Sequence, residues 1–288
     1  MKIFVNGKIV NQDQAVISVF DHGFLYGFGL FETIRAYNGR PFLFNRHYER
    51  LIRSADAFRI KMTKTAQQLY EDICLTLREN HLLDAYIRIT LSGGDEGLGL
   101  WGKEHGTPNW IIMAKPIGEW SPVKGLITLD LRRSTSEGTF RMKSVSFANN
   151  MLAKKELNER GKLAEEGIFL SHDGYIVEGT VSNIFFVRKG ILYTPHEDTG
   201  LLPGVTRGFI MDLSRQLELK LYEGFFKMEE LYEADEVFIT NSIQEIVPVH
   251  QINGVEIPTT GLITQRLMNA YRLATQEQGD VDNGSTAY

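Results

Sequence analysis

Gly174-Tyr175-Ile176-Val177-Glu178-Gly179-Thr180-Val181-Ser182-Asn183-Ile184-Phe185-Phe186 sets one carboxylate among apolar strand residues. A buried carboxylate is expensive unless it has a partner, and the ordinary place for such a glutamate is a strand end facing water. Gly179 follows at once and would let the backbone approach a ligand closely. Read alone, the stretch is either a strand end or one wall of a ligand site.

Three further segments surround it. Upstream, Arg141-Met142-Lys143-Ser144-Val145 precedes a helix expected to start near Ala148. Lys143 reads as an exposed strand-end lysine or, if desolvated or set beside another cation, as an amine nucleophile. Downstream, Leu202-Pro203-Gly204-Val205-Thr206-Arg207-Gly208 opens a helix. Free N–H groups and the dipole at a helix N-terminus suit an anion, to which Thr206 adds a hydroxyl donor; a Pro-Gly turn is the plain alternative. Finally, the strand Phe238-Ile239 runs into Thr240-Asn241-Ser242, donors for phosphate oxygens or the parts of a capped turn.

Around these segments the chain reads as two α/β (α+β) domains. A hairpin is expected at Ile3-Phe4-Val5, Asn6-Gly7, Ile9-Val10, and helices over 45–59, with Asn45 as N-cap, and 65–79. The 45–59 helix is expected to set Tyr48, Leu51, Ile52, Ala55 and Phe58 on one face. Ala85, Ile87, Ile89 and Leu91 alternate with polar residues as a half-buried strand, and Trp110–Ala114 is another. The Pro/Gly-bearing stretch around Lys115–Pro122 marks a boundary. The division is therefore 1–116 for an N-terminal domain, 117–123 for a linker, 124–278 for a C-terminal domain, and 279–288 for a polar, disordered tail. Clefts between domains commonly bind ligands.

Composition narrows the function. The 288 residues are 43% hydrophobic and 23% charged with a formal net charge of −5, ordinary for a globular protein. Without a basic stripe, nucleic acid is not an expected partner. Cys74 is the single cysteine, which excludes an intramolecular disulfide and a cysteine-based metal cluster, and no metal site is expected. No apolar run nears the roughly 18 residues of a membrane span, and no N-terminal signal is evident. A cytoplasmic protein is the expectation.

Taken together and in order, the four segments resemble the fold-type IV pyridoxal 5'-phosphate (PLP) enzymes. The N-terminal stretches Phe20-Asp21-His22-Gly23-Phe24-Leu25-Tyr26-Gly27-Phe28-Gly29-Leu30-Phe31-Glu32-Thr33-Ile34-Arg35 and Pro41-Phe42-Leu43-Phe44-Asn45-Arg46-His47-Tyr48-Glu49-Arg50-Leu51 add to the likeness. The resemblance implies a two-domain fold with the cofactor between the domains, and a homodimer. It implies Lys143 as the Schiff-base lysine and Glu178 as the carboxylate facing the pyridine nitrogen. A glutamate there keeps the ring protonated and able to accept electrons. It also implies Arg50, Val205, Thr206, Asn241 and Ser242 as the phosphate cup, in keeping with the bidentate reach of a guanidinium. Phe31 and the loop around 92–106 would shape the substrate pocket.

Within the family, Thr33 and the run Asn241–Pro248 resemble aminodeoxychorismate lyases, which release pyruvate and leave p-aminobenzoate for folate synthesis. Thr33 is then a candidate for a proton step, and Arg35, Arg88 and Arg141 are candidates for the substrate carboxylates. The alternative is a class IV aminotransferase acting on branched-chain, D-amino-acid or amine substrates. The D-amino-acid reading is weakened by a loop, Asp95–Gly102, that lacks arginine, with His105 further along.

Overall fold

The computed structural model describes residues 1–277 apart from Trp101 and Thr260; the tail expected to be disordered lies outside the described residues. The described chain forms two compact units, Met1–Gly118 with Met142–Ser146, and Glu119–Arg141 with Phe147–Glu277. Among the described residues, no helix is long and apolar enough to cross a membrane.

The first unit contains β1 (Lys2–Val5), β2 (Lys8–Asn11), α1 (His22–Tyr26), β3 (Gly29–Tyr37), β4 (Arg40–Pro41), α2 (Phe44–Ala57), α3 (Ala66–Glu79), β5 (Ala85–Ser92) and β6 (Asn109–Pro116). The strands make an antiparallel sheet in the order β2-β1-β6-β5-β3-β4. β1 and β2 are joined by Asn6 and Gly7, both at positive φ (48° and 88°), as a two-residue turn matched to strand twist requires. Strand alternation sends Ile34, Ala36, Ile87, Ile89 and Ile112 to one buried face. Leu51 and Ala55 of α2 and Leu69, Ile73 and Leu77 of α3 are buried with them. Thr65 starts α3 with a capping box: its hydroxyl accepts from the Gln68 amide at 3.2 Å, and the Gln68 side chain accepts from the Thr65 amide at 2.9 Å.

α2 departs from its sequence reading at the first turn. Asn45 does not cap it; Leu43 holds the cap position in the left-handed region (φ 53°) without a side-chain bond. Its buried face carries Phe44, His47, Leu51, Ser54 and Ala55, while Ile52 is 39% exposed. Two polar side chains occupy positions that hydrophobicity alone assigns to apolar ones.

The second unit contains β7 (Lys124–Thr128), α4 (Ala148–Glu159), β8 (Glu166–Leu170), β9 (Ile176–Gly179), β10 (Asn183–Arg188), β11 (Ile191–Pro195), α5 (Val205–Gln216), β12 (Leu221–Gly224), α6 (Met228–Tyr232), β13 (Glu236–Asn241), β14 (Glu245–Ile252), β15 (Val255–Glu256) and α7 (Leu262–Glu277). The sheet runs β12-β11-β10-β13-β14-β7-β8-β9, with β15 on β14. Parallel pairs (β7 with β8 and β14, β11 with β12) mix with antiparallel ones. β8 is buried along its whole length. Ile168 and Leu170 join one core with Ile184, Phe186 and Val249, and Phe169 joins a second with Ala153, Leu157 and Val177. A strand covered on both faces reads as a continuous apolar run.

Candidate active site

Lys143 lies on an excursion of the chain into the first unit, which a single cut at 117–123 does not anticipate. The segment extends the sheet beside the first residues of β3. The Phe31 amide donates to the Lys143 carbonyl at 2.8 Å and the Val145 amide to the Gly29 carbonyl at 2.9 Å, with Leu30 and Ser144 bridged antiparallel. This register sets Lys143 opposite Phe31, and its Nζ lies 4.5 Å from the centre of the Phe31 ring. The Arg88 guanidinium lies 3.9 Å from the same ring, so one aromatic face system carries two cations.

The surrounding strand face gathers most of the sequence-derived substrate residues. Phe31, Thr33 and Arg35 alternate along β3, and Thr33 pairs directly with Arg88 of β5, which puts their side chains on one side of the sheet. The opposite side of β3 carries Glu32, which is buried. Glu32 accepts from Arg50 Nε at 2.8 Å and Nη2 at 2.5 Å, and from His47 Nδ1 at 2.7 Å. Burial alone would raise the Glu32 pKa; the Arg50 charge and the bonds from His47 and Arg50 outweigh it and bring the value down to about 2. Burial holds His47 below the usual imidazole range against the pull of Glu32, while the Arg50 and Lys143 charges push it the same way as burial. Neutral His47 therefore presents Nδ1–H to the carboxylate. A guanidinium has five N–H donors, and Glu32 engages two of its nitrogens.

In the second unit, Glu178 of β9 stands opposite Phe169 of β8 and is buried. Its Oε1 accepts from Arg133 Nε at 2.8 Å and its Oε2 from the Leu202 amide at 2.9 Å. Arg133 in turn donates through Nη1 to Asn149 Oδ1 (2.8 Å) and Asn150 Oδ1 (3.1 Å). Asn183 Nδ2 donates to the Leu202 carbonyl at 3.0 Å. A Cβ on Gly204 would fall 2.0 Å from Asn183 Oδ1, so this approach requires glycine. Thr206 Oγ1 lies 3.4 Å from Ser242 Oγ. Three of the four sequence segments are thus linked within one unit, and the Lys143 segment lies in the other.

Gly179 has a different role from the one its sequence suggests. A Cβ there would lie 2.2 Å from Ser182 Oγ and 2.5 Å from Glu166 Oε1. Its missing side chain admits an internal staple, in which Glu166 accepts from Ser182 Oγ and the Val181 amide, both at 2.8 Å. Arg141 is anchored internally: its Nε donates to the Gly200 carbonyl and its Nη2 to the Ser134 carbonyl. Asn241 uses its side chain locally, accepting from the Ile243 and Gln244 amides and donating to Gln244 Oε1.

The donor set fits a phosphate-bearing group. Gly204 holds the N-cap position of α5 with no side-chain cap, leaving first-turn amides for an anion. The buried Thr240 Oγ1, adjacent in sequence to Asn241-Ser242, has no hydrogen-bond partner, and such a hydroxyl is costly to leave unmet. Among the described residues there is no group of His, Cys, Asp and Glu arranged to hold a metal ion.

The sequence profile of the family described as Amino-transferase class IV matches residues 29–252. The chain belongs to this family. It is 38% identical over 276 residues to the aminodeoxychorismate lyase of Bacillus subtilis strain 168, covering 94% of this chain and 93% of that one. It is also 38% identical over 277 residues to a Methanocaldococcus jannaschii protein that carries a branched-chain-amino-acid aminotransferase name, covering 94% and 96%. Among solved structures, this class IV chain resembles the T.th. branched-chain amino acid aminotransferase complexed with N-(5'-phosphopyridoxyl)-L-glutamate. That match has a TM-score of 0.87 at 30% identity and covers 96% of this chain and 94% of the other. The fold is fold type IV, as the sequence resemblance implies.

The sequence reading assigned no role to Arg133, Glu32 or His47. Glu32 carried a signal: it follows Leu30 and precedes Ile34 and Ala36 on the strand's buried face, where a carboxylate demands a cation. Arg133 carried none, because its partnership with Glu178 joins residues far apart in sequence.

Proposed function

We propose that this class IV enzyme is an aminodeoxychorismate lyase that uses PLP, releasing pyruvate and p-aminobenzoate from 4-amino-4-deoxychorismate. The observation that carries the reading is the strand face beside Lys143, where the Thr33 hydroxyl is flanked by Phe31 and Arg35 and paired with Arg88. Two guanidinium groups suit a substrate with two carboxylates. The Bacillus subtilis relative, at 38% identity, supports it further.

In this reading Lys143, Arg50, Glu178, Val205, Thr206, Asn241 and Ser242 are the residues that hold the cofactor. PLP, when bound through Lys143, supplies an electron sink for the charge left on the substrate carbon when a proton departs. Glu178, oriented by Arg133 and the Leu202 amide, keeps a proton on the pyridine nitrogen. Once the substrate amine has replaced it on the cofactor, the freed Lys143 amine would take the proton from the substrate carbon and return one to the departing pyruvate carbon, with the Thr33 hydroxyl assisting that transfer. Arg35 and Arg88 orient the carboxylates. The first-turn amides of α5 and the Thr206 and Ser242 hydroxyls grip the phosphate.

We also take the working form to be a homodimer. Phe24, Val16, Val19, Leu98 and Leu100 are exposed in the first unit, on segments tied together by Ser18 to Asp95 and Gly99 to Tyr26. Sedimentation at the mass of a single chain would refute this.

The test is incubation of the PLP-loaded enzyme with 4-amino-4-deoxychorismate in the absence of a 2-oxoacid. Pyruvate and p-aminobenzoate formed in equal amounts establish the lyase. Amino-group transfer between amino acids and 2-oxoacids, with no such elimination, establishes the aminotransferase reading, which the equally similar Methanocaldococcus jannaschii relative favours.

A further inference from the structure

Adjacent residues of β3 serve the two anchors that the first unit contributes. Phe31 receives Lys143 on one face of the strand, and Glu32 on the other binds Arg50 through two nitrogens. A carboxylate 1% exposed is a large liability in a fold unless its charge is needed there. Here it is committed to one guanidinium, and the His47 imidazole fixes the carboxylate in turn at 2.7 Å. His47 and Arg50 sit three positions apart on α2, so both reach one carboxylate from the same side of the helix. A long arginine side chain has many rotamers and loses considerable entropy when fixed. The Glu32–His47 pair removes that freedom before any ligand arrives.

We infer that Glu32, held by His47, is a positioning residue that preorganises Arg50 for the cofactor phosphate. The inference rests on the phosphate role given to Arg50 above. Glu32 touches neither cofactor nor substrate in this scheme; it acts through the guanidinium. Its contribution is therefore specific to the phosphate and absent for a ligand that lacks one.

The experiment compares full-length, cofactor-stripped protein titrated with PLP and, separately, with pyridoxal, following quenching of tryptophan fluorescence. Wild type, Glu32→Gln, His47→Gln, Arg50→Gln and the Glu32→Gln/Arg50→Gln double variant are measured. Glu32→Gln is expected to weaken PLP binding about tenfold, on the scale of one charge-assisted hydrogen bond, and to change pyridoxal binding less than about twofold. His47→Gln shows a smaller loss of the same kind, and it carries the test if Glu32→Gln does not fold. In the Arg50→Gln background, Glu32→Gln adds no further loss, because the two residues act as one unit. Equal weakening of both ligands, or additive losses in the double variant, overturns the inference and leaves Glu32 a general fold residue. If Arg50→Gln itself leaves the preference for PLP over pyridoxal unchanged, the phosphate role of Arg50 fails first, and the inference falls with it.

Discussion

Replacing Arg133 with methionine leaves Glu178 as a buried charge without its cation. The side chains of the pair are 8% and 6% exposed and meet at 2.8 Å, so solvent screens little of the interaction. Methionine also deprives Asn149 and Asn150 of a shared donor. Breaking a buried pair on one side costs about 3–5 kcal/mol, and this variant belongs in that range. With a slope of about 3 kcal/mol per molar urea, the unfolding midpoint falls by about 1–1.7 M. The assay is urea unfolding of full-length protein without added cofactor, so that ligand binding does not contribute. A second variant isolates the cause. Arg133→Met with Glu178→Gln removes the stranded charge, while the neutral amide placed at that position still offers an oxygen to the Leu202 N–H. It recovers about half of the loss or more. A single variant costing less than about 1 kcal/mol, or a double variant no more stable than the single, refutes the reasoning that Arg133 offsets the burial of Glu178.

Other expectations follow from the same geometry. Lys143→Ala abolishes the visible absorbance of the lysine-bound cofactor and its fixation by borohydride, checked by spectroscopy and peptide mass; retention of either on another residue sinks the assignment. Gly204→Ala sets a methyl group against Asn183 Oδ1, displaces the Leu202 segment and costs about 1–3 kcal/mol, read by thermal melting together with a loss of PLP affinity. The folded-state pKa of Glu32, about 2 against an ordinary 4.5, stabilises the fold above pH 4.5, and that stability is lost as pH falls toward 2. It amounts to about 3 kcal/mol, and Glu32→Gln should flatten the stability profile between those two pH values by about one proton.

Much of the scaffold is legible from local pattern. The hairpin is written in Asn6-Gly7, the helix over Ala66–Glu79 in its capping box and apolar spacing, and β5 in its strict alternation. α2 shows where pattern gives out: His47 and Ser54 take buried positions because Glu32 and the Arg50 carbonyl give them hydrogen-bond partners, and hydrophobicity carries no record of a partner. The family-derived residues lie on two units, with the Lys143 segment joined to β3 by hydrogen bonds spanning more than a hundred residues. Such pairing has no local signature. Arg141 illustrates the same limit, since residue type alone carries no record of the two carbonyls that anchor it.

The excursion of Met142–Ser146 into the first unit also constrains how this protein can be dissected. A fragment ending at Gly118 would keep Arg50 and Glu32 but lose Lys143, and would leave the Phe31 N–H and Gly29 C=O exposed along an unsealed strand margin. The complementary fragment would retain the amine on a short tether stripped of the strand that orders it. Neither half, expressed separately, should trap an aldehyde cofactor, whereas mixing the two tests whether that five-residue stitch can re-form without a covalent connection.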